Sequence, residues 1–361
     1  MLQGGSAWWC GSFLGMAKRV GRYFARAMAA SLAIVVGLAV PAPAQAALVF
    51  PAAGYGFGDG AQMTWLGADD VNRELDAVAK TSATWLRVLI PWTQIETAKG
   101  QYDWGQTDVV INAAAARNLR VLGVIAYSPT WARPAGTSFS APPDNASDYA
   151  DFSTAVVNRY GSRVSNWQLW NEPNLPLFFG GTPRNAPRYT DLVKAAYPAI
   201  KAAQPGSTVV LAGFSRLPGE ESPPAFLSQM YALGAKGNFD AAAAHPYVFP
   251  TGFAANPENG WSDVPALHDV MAANGDGGKK IWMTELGAPT SEDADGVSQE
   301  EQAKQIVDVL AAAAATGYSG PAFIYSIRDT DSANRGDRES NVGALLTSDW
   351  QPKYSAGVFA R

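Results

Sequence analysis

Glu172 lies in Trp170-Asn171-Glu172-Pro173-Asn174, and Glu285 follows Lys280-Ile281-Trp282-Met283-Thr284, each directly behind an apolar, strand-like run. A carboxylate in such a place is costly to take out of water unless it is paired or put to use. Pro173 stops the first run, and Gly287 with Ala288-Pro289 turns the chain after the second. Both glutamates are therefore expected at the carboxyl ends of two different strands. Two carboxyls brought together there could carry out acid/base and nucleophilic chemistry on an acetal. The plainer alternative is a capping or ion-paired structural acid at each place, but finding two acids in the same setting favours catalysis.

Other residues fit around this pair. Arg87 interrupts the apolar run Trp85-Leu86-Arg87-Val88-Leu89-Ile90, where a buried guanidinium needs an acidic partner. That partner is either a structural acid elsewhere or the Glu285 carboxylate, held ionised by the contact. His245-Pro246-Tyr247 ends another strand, and alternation puts His245 and Tyr247 on one side. His245 could equally be a satisfied core histidine and Tyr247 a packing residue at the rim. Asn171 poses a geometric problem, because strict alternation sends it away from Glu172. Both face one site only if the strand has ended or is bulged there.

The elements that would position these groups alternate along the chain. Strands are expected over 53–58, 84–90, 120–126, 164–170, 208–212, 241–245, 280–284 and 321–325. Helices are expected over 69–80, 107–117, 147–160, 189–204, 224–233, 264–274 and 298–316. Apolar strands joined by helices imply parallel pairing with both faces covered. Eight such units predict one closed (β/α)8 TIM barrel over 47–361, with Glu172 at the end of strand four and Glu285 at the end of strand seven.

With that placement the chain resembles the clan A glycoside hydrolases. The stretches Trp85 to Trp92, Gly100-Gln101-Tyr102-Asp103-Trp104 and Tyr127-Ser128-Pro129-Thr130-Trp131 look most like family 39 and related bacterial exopolysaccharide hydrolases, with family 5 the nearest competitor. The resemblance implies a retaining β-glycosidase with Glu172 as acid/base and Glu285 as nucleophile. It further implies that Arg87 and Tyr247 hold the nucleophile, that His245 contacts substrate or carboxylate, and that Asn171 contacts the sugar 2-hydroxyl. Trp92, Tyr127, Trp131, Phe178, Phe179 and Tyr325 are candidate sugar-stacking aromatics, each as compatible with core packing. The clan commonly ends strand eight in Trp, whereas this chain reads Phe323-Ile324-Tyr325-Ser326-Ile327-Arg328-Asp329. Tyr325 is expected to substitute, and Arg328 raises the expectation of an anionic or unusually substituted glycan. A transglycosylase sharing the same intermediate and a non-catalytic glycan-binding or cell-envelope protein are the other readings.

Composition narrows the classes. The 361 residues carry 27 basic and 32 acidic side chains, and Lys18, Arg19, Arg22 and Arg26 fall in the first 46 residues, which hold no acid. Beyond them, 23 bases face 32 acids, a net charge of −9 that does not suit a phosphate backbone, so nucleic acid is not an expected partner. The basic stretch followed by the apolar run 27–40 and Ala44-Gln45-Ala46 reads as a secretory signal, with Met16 a possible true start and Ala47 the mature one. The mature chain is then expected to be secreted or in the cell envelope, monomeric, and without a membrane span. Cys10 is the only cysteine and His245 and His268 the only histidines, with no metal-binding spacing, so neither a metal nor a cofactor is expected.

Overall fold

A computed structural model describes residues 48–59, 63–181, 185–256 and 259–361. The expected signal sequence, the Met16 start and the cleavage point after Ala46 lie outside the described residues. Among those described, no helix is long and apolar enough to cross a membrane.

Eight parallel strands close in sequence order into a barrel: β1 (Tyr55–Gly58), β2 (Trp85–Pro91), β3 (Arg120–Ala126), β4 (Asn166–Leu169), β5 (Thr208–Ser215), β6 (Ala241–His245), β7 (Ile281–Leu286) and β8 (Ser319–Tyr325). This is the (β/α)8 barrel expected from the alternation. Helices Ala68–Ala79, Gly105–Ala116, Ala146–Tyr160, Ala186–Ala203, Pro223–Ala232, Asp263–Ala273 and Gln299–Ala315 follow the first seven strands. Their starts use ordinary chemistry: Asp69 and Asp70 lie in the first turn of one, and Ser298 caps another by accepting from the Glu301 amide at 3.2 Å. Pro187 and Pro223 sit where a helix has no amide bond to lose.

Two apolar layers hold the fold. A large one fills the space between barrel and helices, and a smaller one of Trp85, Leu122, Val210, Ala241, Ala243, Trp282 and Phe323 is gathered from six of the strands. Trp85 packs edge-on to Trp282 with centroids 5.4 Å apart, and Phe323 stacks on Trp282 at 6.4 Å. Period-two alternation then determines what lies above this apolar layer. Arg87 is two residues beyond Trp85, His245 two beyond Ala243, Thr284 two beyond Trp282 and Tyr325 two beyond Phe323. The same face that packs the aromatic layer thus ends in a polar layer at the carboxyl mouth, where barrels of this kind carry their sites.

Candidate active site

Local departures from regular strand geometry bring both glutamates to this mouth. β4 ends at Leu169, and Trp170 then adopts a left-handed backbone (φ 72°), as does Glu172 (φ 43°). A non-glycine residue there is strained and uncommon, and here it breaks the alternation, so Asn171 and Glu172 both reach the site. Fully buried Trp170 anchors the bend by donating its indole N–H to the Phe178 carbonyl at 2.9 Å. Asn174 braces the loop from behind, its amide donating to the Ser215 carbonyl at 2.7 Å and the Glu221 carbonyl at 2.9 Å. On the other side, β7 continues to Leu286, past the expected end at Thr284, and its register against β8 shifts between Met283 and Leu286. That irregularity lets the successive residues Thr284 and Glu285 both join the polar layer.

Arg87 is the hub. Its Nη1 donates to Glu285 Oε1 at 2.7 Å, its Nη2 to Asn171 Oδ1 at 2.7 Å, and its Nε to Gln168 Oε1 at 2.8 Å. The hydroxyl of Tyr247 donates to the second Glu285 oxygen at 2.7 Å. His245 Nδ1 lies 2.7 Å from Glu172 Oε1 and 3.4 Å from Glu285 Oε2. Each of Glu172, Glu285, Arg87 and His245 is more than nine-tenths buried. Burial alone would raise the Glu285 carboxyl. In the acid range where it would titrate, protonated His245, the Arg87 charge and the bonds from Tyr247 and Arg87 outweigh burial and hold it below the ordinary 4.5. The Tyr247 phenol is pushed well up by burial and by Glu285, so it stays a donor.

One donor atom from each of Glu172, His245 and Glu285 lies within 4.8 Å of the others, close enough for a metal ion. Those donors are already hydrogen-bonded, Glu172 to His245 and Glu285 to Arg87 and Tyr247 from outside the trio.

Of the sequence-predicted site residues, Glu172, Glu285, Arg87, Asn171, His245 and Tyr247 form one connected network. Tyr325 ends β8 beside it, its phenol pushed well up by burial and by the nearby charges of Glu285, Glu339, Glu172 and Asp59. Trp131 stands apart. Its indole N–H is spent on the Glu96 carbonyl at 2.7 Å, its ring meets Trp92 edge-on at 5.8 Å, and among the described residues it makes no hydrogen bond to either carboxylate. Trp92 and Phe179 are fully buried, which corrects the expectation that they stack on sugar. Tyr127 belongs at the site, its phenol raised by burial and by the charge of Glu172, a rise that the nearby Asn171 amide opposes. Arg328 is also corrected. Its Nε pairs with buried Glu74 Oε1 at 2.7 Å and its guanidinium lies 4.4 Å from the Trp350 ring centre, so its charge is neutralised within the fold.

Sequence reasoning missed Gln168 and Thr284, both fully buried. Gln168 Nε2 donates to the Leu211 carbonyl at 3.0 Å and to Thr284 Oγ1 at 3.1 Å, and Thr284 Oγ1 lies 3.1 Å from His245 Nε2. Gly213 makes room for them. A Cβ there would lie 2.0 Å from His245 Nε2 and 2.5 Å from Thr284 Oγ1. Gly213→Ala is accordingly expected to cost about 1–3 kcal/mol of stability by overpacking and to push His245 off Glu172. Thermal melting beside an activity assay checks this, and a variant as stable and active as the parent would show that the ring relocates freely.

No protein-family model matches the chain, and no curated protein matches it in sequence. Solved structures do. A family 39 glycoside hydrolase from the gut symbiont Bacteroides cellulosilyticus WH2 aligns at TM-score 0.66 and 23% identity, over 86% of this chain and 64% of its own. A monomeric beta-xylosidase from Caulobacter crescentus CB15 aligns at TM-score 0.68 and 18% identity, over 87% and 69%. A family 5, subfamily 18 protein from Streptomyces cattleya, solved in complex with GlcNAc, aligns at TM-score 0.62 and 18% identity, over 87% and 79%. Both families named from the sequence motifs are thus met among structures of similar fold. At these identities the likeness is one of fold, and the chain spans 64% and 69% of the length of the first two.

Proposed function

We propose that this protein is a secreted retaining β-glycosidase that hydrolyses O-glycosidic bonds in a poly- or oligosaccharide by double displacement, acting as a monomer and without a cofactor. The observation that carries the reading is the unequal treatment of two buried carboxyls. Glu285 receives Arg87 and Tyr247 on separate oxygens, while among the described residues Glu172 has one side-chain partner, the imidazole of His245 at Oε1. A carboxylate held ionised by an arginine and a phenol suits a nucleophile, and one with an oxygen left over suits an acid/base. Glu285 attacks the anomeric carbon, and Glu172 gives its proton to the departing oxygen. Water, deprotonated by Glu172, then releases the sugar from Glu285 with retained configuration. Proximity supports retention, since an oxygen of each carboxyl lies within 4.8 Å of the other, in keeping with the roughly 5–5.5 Å between the carboxyls of retaining pairs.

Release of new reducing ends across β-linked polysaccharides and bacterial exopolysaccharides tests the activity and names the substrate class together. Silence on every glycan would move the reading to a binding protein on the same barrel, and products longer than the donor would make it a transglycosylase. The secretory part rests on the basic and apolar segments before Ala47. Exported protein whose N-terminus begins upstream of Ala47 would count against cleavage there, and protein retained inside the cell would contradict secretion.

A further inference from the structure

The hydrogen bonds beneath the two carboxyls run in one direction, and that direction fixes a proton. Arginine Nε is always a donor, so the Gln168 atom 2.8 Å away is oxygen. The Leu211 carbonyl is always an acceptor, so the atom 3.0 Å from it is the Gln168 nitrogen, and the two ends agree on one amide orientation. Gln168 Nε2 therefore donates its second proton to Thr284 Oγ1. The Thr284 hydroxyl has its own proton to place, and among the described residues the one acceptor given for it is His245 Nε2, 3.1 Å away. Because Nε2 accepts, the imidazole carries its proton on Nδ1, which faces Glu172 Oε1 at 2.7 Å.

We propose that Gln168 and Thr284 are positioning residues that hold His245 as a neutral Nδ1–H donor to Glu172, so that Glu172 Oε2 presents the catalytic proton and His245 never competes for it. The proposal rests on Glu172 being the acid/base. His245 is faced by Glu172 from the end of β4 and by Glu285 from β7, and Arg87 from β2 and Tyr247 from beyond β6 both bind Glu285. The phenols of Tyr127, just beyond β3, and Tyr325, at the end of β8, lie near the same carboxyls. Two carboxylates this close would by themselves favour a charged imidazole. A donor aimed at Nε2 opposes it, because an imidazolium would have to turn a second N–H against that hydroxyl. When Glu172 loses its proton to the leaving group, His245 already donates to the new carboxylate, and no proton has to cross the ring.

Nitrogen-15 NMR of the imidazoles tests this without any substrate, and His268, the only other histidine in the chain, is assigned by His268→Gln. In the wild type at neutral pH, His245 should show a protonated Nδ1 and a pyridine-like Nε2. A protonated Nε2, alone or as imidazolium, would overturn the proposal. Thr284→Val removes the hydroxyl at similar volume and should let His245 charge. The charged ring lowers the proton affinity of Glu172, so the basic limb of kcat/KM should move down by about half to one pH unit. Thr284→Ser should restore both the tautomer and the limb. A valine variant with reduced kcat but an unmoved limb would reduce Thr284 to packing and sink the idea. Wild-type protein inactive on every glycan would count against the glycosidase reading alone, since the tautomer is read independently.

Discussion

Glu285→Gln should lower kcat/KM by at least about 10⁴-fold, the scale on which loss of a group that forms the covalent intermediate is felt. The substitution is close to isosteric, and its effect on the fold should be far smaller than on the chemistry. Arg87 can still donate to the amide oxygen where it now donates to Oε1, and the Tyr247 hydroxyl can turn to accept from the amide nitrogen. Melting and circular dichroism would confirm that the fold survives. A 2-deoxy-2-fluoro glycoside with an activated leaving group separates the roles further, because slowed deglycosylation accumulates the intermediate. Peptide mapping should place the added mass on Glu285 in the parent and find none in the variant. Glu172→Gln should behave differently, keeping much of its rate on substrates whose leaving group needs no proton. Activity that survived in Glu285→Gln would remove it as nucleophile and reopen the assignment of the two carboxyls.

What could be read in advance depended on whether a residue's role is local. Glu172 and Glu285 were legible because strand-stop signals stand beside them, and Arg87 because a charge inside an apolar run needs a partner. The barrel followed from the alternation of strand and helix signals. Gln168 and Thr284 gave no such signal. A neutral polar residue in a strand looks the same whether it faces water or a buried arginine, and only closure of the barrel brings Gln168 to Arg87. Glu74 and Arg328 are 254 residues apart, so their pairing could not be read locally and the arginine suggested a substrate charge instead. Aromatics were ambiguous for the same reason. Trp92 is wholly buried with its indole N–H on Glu96 Oε2 at 2.6 Å, while Tyr127, just beyond β3, lies near Asn171. The geometric conflict at Asn171 was visible from alternation, but its resolution needed the left-handed turn at Trp170.

Arg87→Met is expected to destabilise the protein by about 3–5 kcal/mol at neutral pH, the usual cost of leaving one member of a buried ion pair without the other. Three acceptors, on Gln168, Glu285 and Asn171, would lose their donor together. The pH dependence makes the claim specific. In the parent, Glu285 is held below 4.5, so its contribution to stability is complete above its unfolded value and is lost as pH falls through the lower folded one. Without the Arg87 charge, burial has less opposing it and the carboxyl rises. The folded variant then takes up a proton more readily than its unfolded chain, so its deficit against the parent should shrink on acidification. The same rise should carry the acid limb of kcat/KM upward, because the nucleophile is now protonated where the parent's is ionised. Adding Glu285→Gln in the Arg87→Met background removes the stranded charge and should recover part of the lost stability, although it abolishes activity. Deficits independent of pH, or a double variant no more stable than Arg87→Met, would mean that Arg87 serves packing and that Glu285 owes its ionisation to His245 and Tyr247 instead.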